Sequence, residues 1–325
     1  MTTLSANLDC APTGDAASTP GAAPHPWLAE LRARLSPATI LRADEPLAKR
    51  TTLRVGGRAD FYAEPVNERE LTALVQWCAE RRLPWFLLGR GSNLLIRDGG
   101  LRGLVVCLAA PAFSAIDVVG NHLHCGAGAR LKQVAMTAKQ RALTGLEFLE
   151  GIPGSVGGAL RMNAGAMGSW TFDVVESLRY MDAGGGVHEA EVAEVAVEYR
   201  CCPLLRENIA LGAVLRGHPS SREVVNQRLQ TFNKKRWDSQ PAAPSAGCIF
   251  KNPTTVPAGK LIDELGLKGM RVGQAMVSQE HGNFIVNEGG ATAREVLDLI
   301  ELIRARARQA RGIDLHTEVE IVGED

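Results

Sequence analysis

Residues 151–168 read GIPGSVGGALRMNAGAMG. Glycines at 151, 154, 157 and 158, with Pro153 stiffening the turn, mark a backbone that takes positive φ or lets a ligand approach closely. Two earlier segments have the same character, Arg54–Gly57 (RVGG) and Gly89–Asn93 (GRGSN). The second follows directly on a short apolar run that predicts a strand. Its glycines expose successive N–H groups, and Ser92 and Asn93 add side-chain donors, which is the chemistry a pyrophosphate needs. The spacing is not that of a dinucleotide-binding GxGxxG, no helix is expected after these glycines, and no Gly-Lys-Ser/Thr occurs. One such loop reads most simply as a tight turn. Three between residues 54 and 158 argue for a cradle.

Around these loops the pattern is mixed. Leu28, Leu31 and Leu35 predict a short helix before Pro37, and Phe61 and Ala63 sit in a strand-like run. Helical spacing over Glu68–Arg82, Leu131–Ala142 and Arg222–Trp237 alternates with strands at Pro84–Gly89 and Leu104–Leu108. Near the end, Thr292 and Glu295 form a capping box, an apolar stripe runs Val296, Leu299, Ile300, Ile303, and Gly312 follows the stop. The alternation over Leu315–Val322 predicts a final strand. The chain's 325 residues exceed the roughly 100–200 of one domain. The first 26 are mostly Ala, Pro, Thr, Ser and Gly and read as a disordered tail.

Thirty-six basic residues balance thirty-six acidic ones, so nothing recruits nucleic acid or an anionic membrane, although a local basic pocket for a phosphorylated ligand stays open. Seven cysteines include no C-x-x-C, so neither a disulfide framework nor a metal site is expected. The start has no basic-then-apolar leader, and the longest apolar stretch is too short to span a bilayer. A reducing cytoplasm fits this pattern. Oligomeric state is not legible, and a monomer is the working expectation.

The segments TTLRVGGRADF, LGRGSNLLIRDGG, GLEFLEGIPGSVGGALRMNAGAMG, YRCCPLL, AGCIFKNP and HTEVEIVG occur in the order seen in the UDP-N-acetylenolpyruvoylglucosamine reductase (UDP-N-acetylmuramate dehydrogenase) family, which the chain resembles from about Arg42 to Gly323. The resemblance implies an α+β fold: the FAD-binding fold of vanillyl-alcohol oxidase and p-cresol methylhydroxylase in two lobes, about 27–110 and 111–219. A C-terminal α+β substrate-binding domain, 220–325, then sends its last strand back to the active site. It also implies noncovalent FAD, NADPH as hydride donor, and UDP-N-acetylglucosamine enolpyruvate as the small-molecule substrate. The flavin would be cradled by Arg54, Val55, Gly56 and Gly57; by Gly89, Arg90, Gly91, Ser92, Asn93 and Leu94; and by Gly151, Ile152, Pro153, Gly154, Ser155, Gly157 and Gly158, with Asn163 alongside. No tyrosine lies between Arg200 and Cys248, so the chain resembles the subgroup that lacks a substrate-closing tyrosine loop.

Carried onto this sequence, the family's chemistry assigns Arg200 to the developing enediolate, since a guanidinium fork matches a carboxylate in two-point contact. Glu318 would act at the other end of that carboxylate, as a protonated partner or proton shuttle if burial near the flavin raises its pKa. Cys248 stands where the family usually has a serine acid, and Cys202 where YRxS has a hydroxyl. A thiol near its ordinary pKa of roughly 8.5 would donate a proton at neutral pH. Lys251 and Asn252 are candidates for the UDP diphosphate. Two other functions stay open: a flavin-dependent alcohol oxidase of the same fold, or a non-catalytic nucleotide-sugar binder. The loops carry no histidine of the kind that tethers flavin in such oxidases.

Overall fold

The structure is a computed structural model that describes residues 26–325. Nearly all of the expected tail, and Cys10 with it, lies outside the described residues; Pro26 already belongs to the first helix, Pro26–Arg34.

A four-stranded sheet runs in the order Ile40–Pro46, Arg58–Glu64, Leu101–Val106, Trp85–Leu87. The first pair is antiparallel and the others are parallel. The helix Glu68–Arg81 covers it, started by Asn67, whose side chain accepts from Glu70 N at 2.9 Å, and stopped by Arg82 in the left-handed region. Its apolar stripe, Leu71, Leu74 and Cys78, is buried against Phe61, Leu104 and Val106. A second sheet of five antiparallel strands follows, in the order Val187–Glu191, Val175–Met181, Ile209–Arg216, His122–Gly126, Ile116–Val119. The two sheets share one continuous core, so the two expected lobes form one packed body.

The third unit is a four-stranded antiparallel sheet, in the order Ser245–Cys248, Phe284–Asn287, Ala275–Val277, Arg271–Val272, backed by the helices Ala258–Glu264 and Ala293–Arg311. The long helix carries its capping box at Thr292 and Glu295 and ends at Gly312 with φ +66°. Val296, Leu299, Ile300 and Ile303 are buried in a separate core, which also takes in Leu53, Val55 and Leu95 from the first lobe.

Two sequence expectations need correction. The boundary at 219/220 falls too early. Val225 and Leu229 of the helix Arg222–Trp237 belong to the core of the first two lobes, so the third unit begins after that helix. The final strand is also shorter than the alternation implied. Only Glu320–Val322 pairs, in parallel with Leu94–Ile96, with one further bridge between Thr317 and Phe250. Leu315 and Val319 are buried in the third unit's core, which produces the alternation without a strand ladder.

Candidate active site

The short pairing of Glu320–Val322 with Leu94–Ile96 stitches the end of the chain to the GRGSN loop. Glu320 N donates to Asn93 O at 3.0 Å, and Asn93 Nδ2 donates to Glu318 O at 3.1 Å. Glu318 N in turn donates to Ile249 O at 2.8 Å, one residue beyond Cys248. Asn93 therefore lines the cavity and also holds Glu318 through its amide.

Arg200 stands in a tight turn closed by the Glu198–Cys201 bridge and has φ +57°, a backbone conformation a non-glycine residue adopts only where its surroundings impose it. Its Nε donates to Glu318 Oε1 at 2.7 Å, with the two side chains only 19% and 11% exposed, so solvent screens the pair little. Its Nη1 is buried and has no partner. A guanidinium N–H held this way is a donor awaiting an acceptor. Tyr199 OH donates to Glu318 Oε2 at 3.4 Å.

Cys248 lines the same cavity as Arg200 and Glu318. Burial, helped by the Glu318 charge, pushes its thiol up to about 12, against the opposing pull of Arg200 and of a hydrogen bond with Asn283. Desolvation disfavours thiolate, so the thiol is held protonated at neutral pH, as a proton donor requires. Cys202 is fully buried, its thiol also raised chiefly by burial, and it packs in the core instead of presenting a hydroxyl substitute to the site.

The cavity where these groups meet has a volume of about 290 Å³ and shares walls with a larger one of about 1210 Å³. Gly89 to Leu94 line the smaller, as do Ile152, Pro153, Gly154, Ser155 and Gly158; Arg54, Gly151 and Gly157 line the larger. The two loops meet at Ser155, whose Oγ lies 3.2 Å from where a Cβ on Gly89 would stand and 3.6 Å from one on Gly158. The missing side chains leave room between the two loops. Lys49, Arg50, Arg54, Arg90, Arg130 and Arg236 line the larger cavity against only two carboxylates, Glu64 and Glu318. A neutral protein thus holds a local basic pocket suited to a diphosphate. The residues fit FAD.

Several of the expected site residues do not line either cavity. Val55 is a core residue, and Gly56 and Gly57 line neither cavity: a Cβ on Gly57 would stand 2.2 Å from Asp98 O, so these glycines permit packing of chain on chain. The same loop is tied to the third unit by Thr52 Oγ1 donating to Ser245 O at 2.7 Å and Asn287 Nδ2 to Leu53 O at 3.1 Å. Asn163 is buried in a turn, where its Oδ1 accepts from Phe172 N at 3.2 Å. Lys251 is exposed, with its backbone N–H on His316 O, while Asn252 Oδ1 accepts from Ala258 N at 3.0 Å and caps the helix that follows. Neither lines either cavity. Sequence reading missed Arg161 and Glu320, which pair at 2.6 Å across the smaller cavity, although both lie within or beside quoted motifs. Among the described residues no cluster of three or more His, Cys, Asp or Glu could hold a metal, and no helix is long and apolar enough to cross a membrane.

An FAD binding domain family matches residues 59–191, and the UDP-N-acetylenolpyruvoylglucosamine reductase C-terminal domain family matches residues 240–322. The second match begins after the helix Arg222–Trp237, as the packing does. UDP-N-acetylenolpyruvoylglucosamine reductase of Geobacter metallireducens is 43% identical over 298 residues, 91% of this chain and 98% of that one. The same enzyme of Bacillus velezensis is 40% identical, covering 86% and 93%. The crystal structure of the reductase from Thermus caldophilus superposes with a TM-score of 0.77 at 37% identity, covering 87% of this chain and 99% of its own. With relatives this similar over nearly their whole length, and with their fold shared, the chain belongs to the UDP-N-acetylenolpyruvoylglucosamine reductase family.

Proposed function

We propose that the protein reduces UDP-N-acetylglucosamine enolpyruvate to UDP-N-acetylmuramate, a step of peptidoglycan precursor synthesis, with NADPH as hydride donor. The observation that carries this reading is the convergence of Arg200, Glu318 and Cys248 on one cavity walled by two glycine loops. FAD, when bound there, supplies the hydride chemistry between nicotinamide and the vinyl carbon. The protein supplies position, charge and one proton.

Arg200 Nη1, buried without a partner, takes the substrate carboxylate and stabilises the negative charge that gathers on it. Glu318 Oε1 fixes the guanidinium through Nε and so aims Nη1 at that carboxylate. Cys248 Sγ–H delivers the proton to the ether-bearing carbon. Being protonated at any physiological pH, it is ready at each turnover, and Arg200 favours the thiolate left behind. The reading places the protein in the cytoplasm, where nucleotide sugars and NADPH occur.

The test is spectroscopic. Purified protein should carry a noncovalent flavin spectrum that NADPH bleaches anaerobically and that the enolpyruvyl sugar restores with formation of UDP-N-acetylmuramate. A bleached spectrum that oxygen restores and the sugar does not would favour an oxidase of the same fold. Binding of UDP-sugars without bleaching would favour the non-catalytic binder.

A further inference from the structure

Arg200 has two aromatic neighbours that the roles above do not use. Its guanidinium carbon lies 5.0 Å from the centre of the Trp170 ring and 5.3 Å from that of Tyr199. The two rings meet edge to face, with centroids 5.6 Å apart and planes at 71°. A cation over an aromatic face is held by the ring quadrupole, more strongly where water is scarce.

Trp170 reaches this position from a small, well-fixed hairpin. Gly165–Ala166 pairs with Ser169–Trp170 around Met167 and Gly168, both with positive φ, as a two-residue hairpin turn of this twist requires. Thr171 closes its base, with Oγ1 donating to Ala164 O at 2.7 Å, and Trp170 N donates to Asp173 Oδ2 at 2.7 Å. The indole lies flat across Gly165. A Cβ at that position would stand 2.5 Å from Trp170 Cε3 and 2.9 Å from Cδ2. Gly165 is the seat of the indole.

We propose that Trp170 is a positioning residue for Arg200: seated on Gly165, it holds the guanidinium against Glu318 and so keeps the buried, unpartnered Nη1 in place for the carboxylate. Tyr199, the other ring beside the guanidinium, is about half exposed and bonds Glu318 only at 3.4 Å, so it is the weaker support. The proposal rests on the reading of Arg200 as the carboxylate-binding group.

The experiment separates the two. Calorimetric affinities of the flavin-loaded protein are measured for UDP-N-acetylmuramate, which carries the carboxylate, and for UDP-N-acetylglucosamine, which does not. The native protein should prefer the first. Trp170→Leu should cut that preference by roughly 2–30-fold while leaving UDP-N-acetylglucosamine binding unchanged. Trp170→Phe should retain most of the preference, and Gly165→Ala, which keeps the indole but unseats it, should lose it. Absence of a preference in the native protein would overturn the role of Arg200 and the proposal with it. A native preference that Trp170→Leu retains, or equal weakening of both ligands, would overturn the proposal alone. If Trp170→Leu fails to load flavin, the contrast between Trp170→Phe and Gly165→Ala decides it.

Discussion

Raising the pH tests the acid assigned to Cys248, because the structure moves its titration far from that of an ordinary thiol. The protonated form does the work, so activity is full below the thiol pKa and fades only as pH rises through it. Burial and the Glu318 charge place that point at about 12. At pH 10 a thiol of ordinary pKa, about 8.5, is only about 3% protonated. One titrating near 12 is still about 99% protonated at that pH, a difference of roughly 30-fold in the working form. In stopped-flow mixing of the NADPH-reduced enzyme with the enolpyruvyl sugar, the rate should therefore hold nearly level from pH 7 to pH 10, apart from ionisations of the ligand itself. The same burial should make alkylation of Cys248 slow. A rate that falls about 30-fold over this range with a midpoint near 8.5 would refute the argument, since it would mean that the thiol is solvated when the enzyme works.

Glu318→Gln keeps an acceptor for Arg200 Nε but removes the charge that holds the guanidinium, and should slow the sugar half-reaction while leaving flavin reduction by NADPH intact; equal losses in both, read by stopped-flow absorbance, would mark Glu318 as structural. Gly91→Val should purify unstable and without flavin, because its φ is +59° and a Cβ would stand 2.7 Å from Arg50 O. Gly154→Ala, with Leu131 Cδ1 3.4 Å away as its nearest contact, should fold and show weakened flavin affinity in a fluorescence titration. Thr292→Ala removes the capping hydrogen bond to Glu295 N and should cost about 1 kcal/mol in denaturant melts, with activity unchanged.

What the sequence showed depended on how local the determining contact is. The helix Ala293–Arg311 was legible from cap to cap, because Thr292, Glu295 and Gly312 act on their own turns and the apolar stripe needs only a period. The cradle at Gly89 and Gly154 was legible because glycines mark close approach. At Gly56 and Gly57 the same signal misled, since a glycine reports that something comes near and not whether it is ligand or chain; here it is Ile96 and Asp98. The alternation over Leu315–Val322 reflected burial in the third core without strand pairing, a distinction that hydrophobic period alone cannot make. Arg200, Cys248 and Glu318 came from motif likeness, and their meeting came only with the fold, because 118 residues separate Arg200 from Glu318. Trp170 had no signal at all. Its partner, Arg200, lies thirty positions along the chain, and the seat that orients it is a glycine in a hairpin.

The central claim is that the half-buried thiol of Cys248 provides the proton once Arg200 has taken the carboxylate. It is tested most directly by a single anaerobic turnover, comparing native protein with Cys248→Ala, both loaded with flavin and reduced by one equivalent of NADPH. The account predicts equal reduction in the two. On mixing with the enolpyruvyl sugar, flavin absorbance should return promptly in the native protein and about 10²–10⁴-fold more slowly in the variant, with UDP-N-acetylmuramate formed in step. Return at the native rate in Cys248→Ala would contradict it.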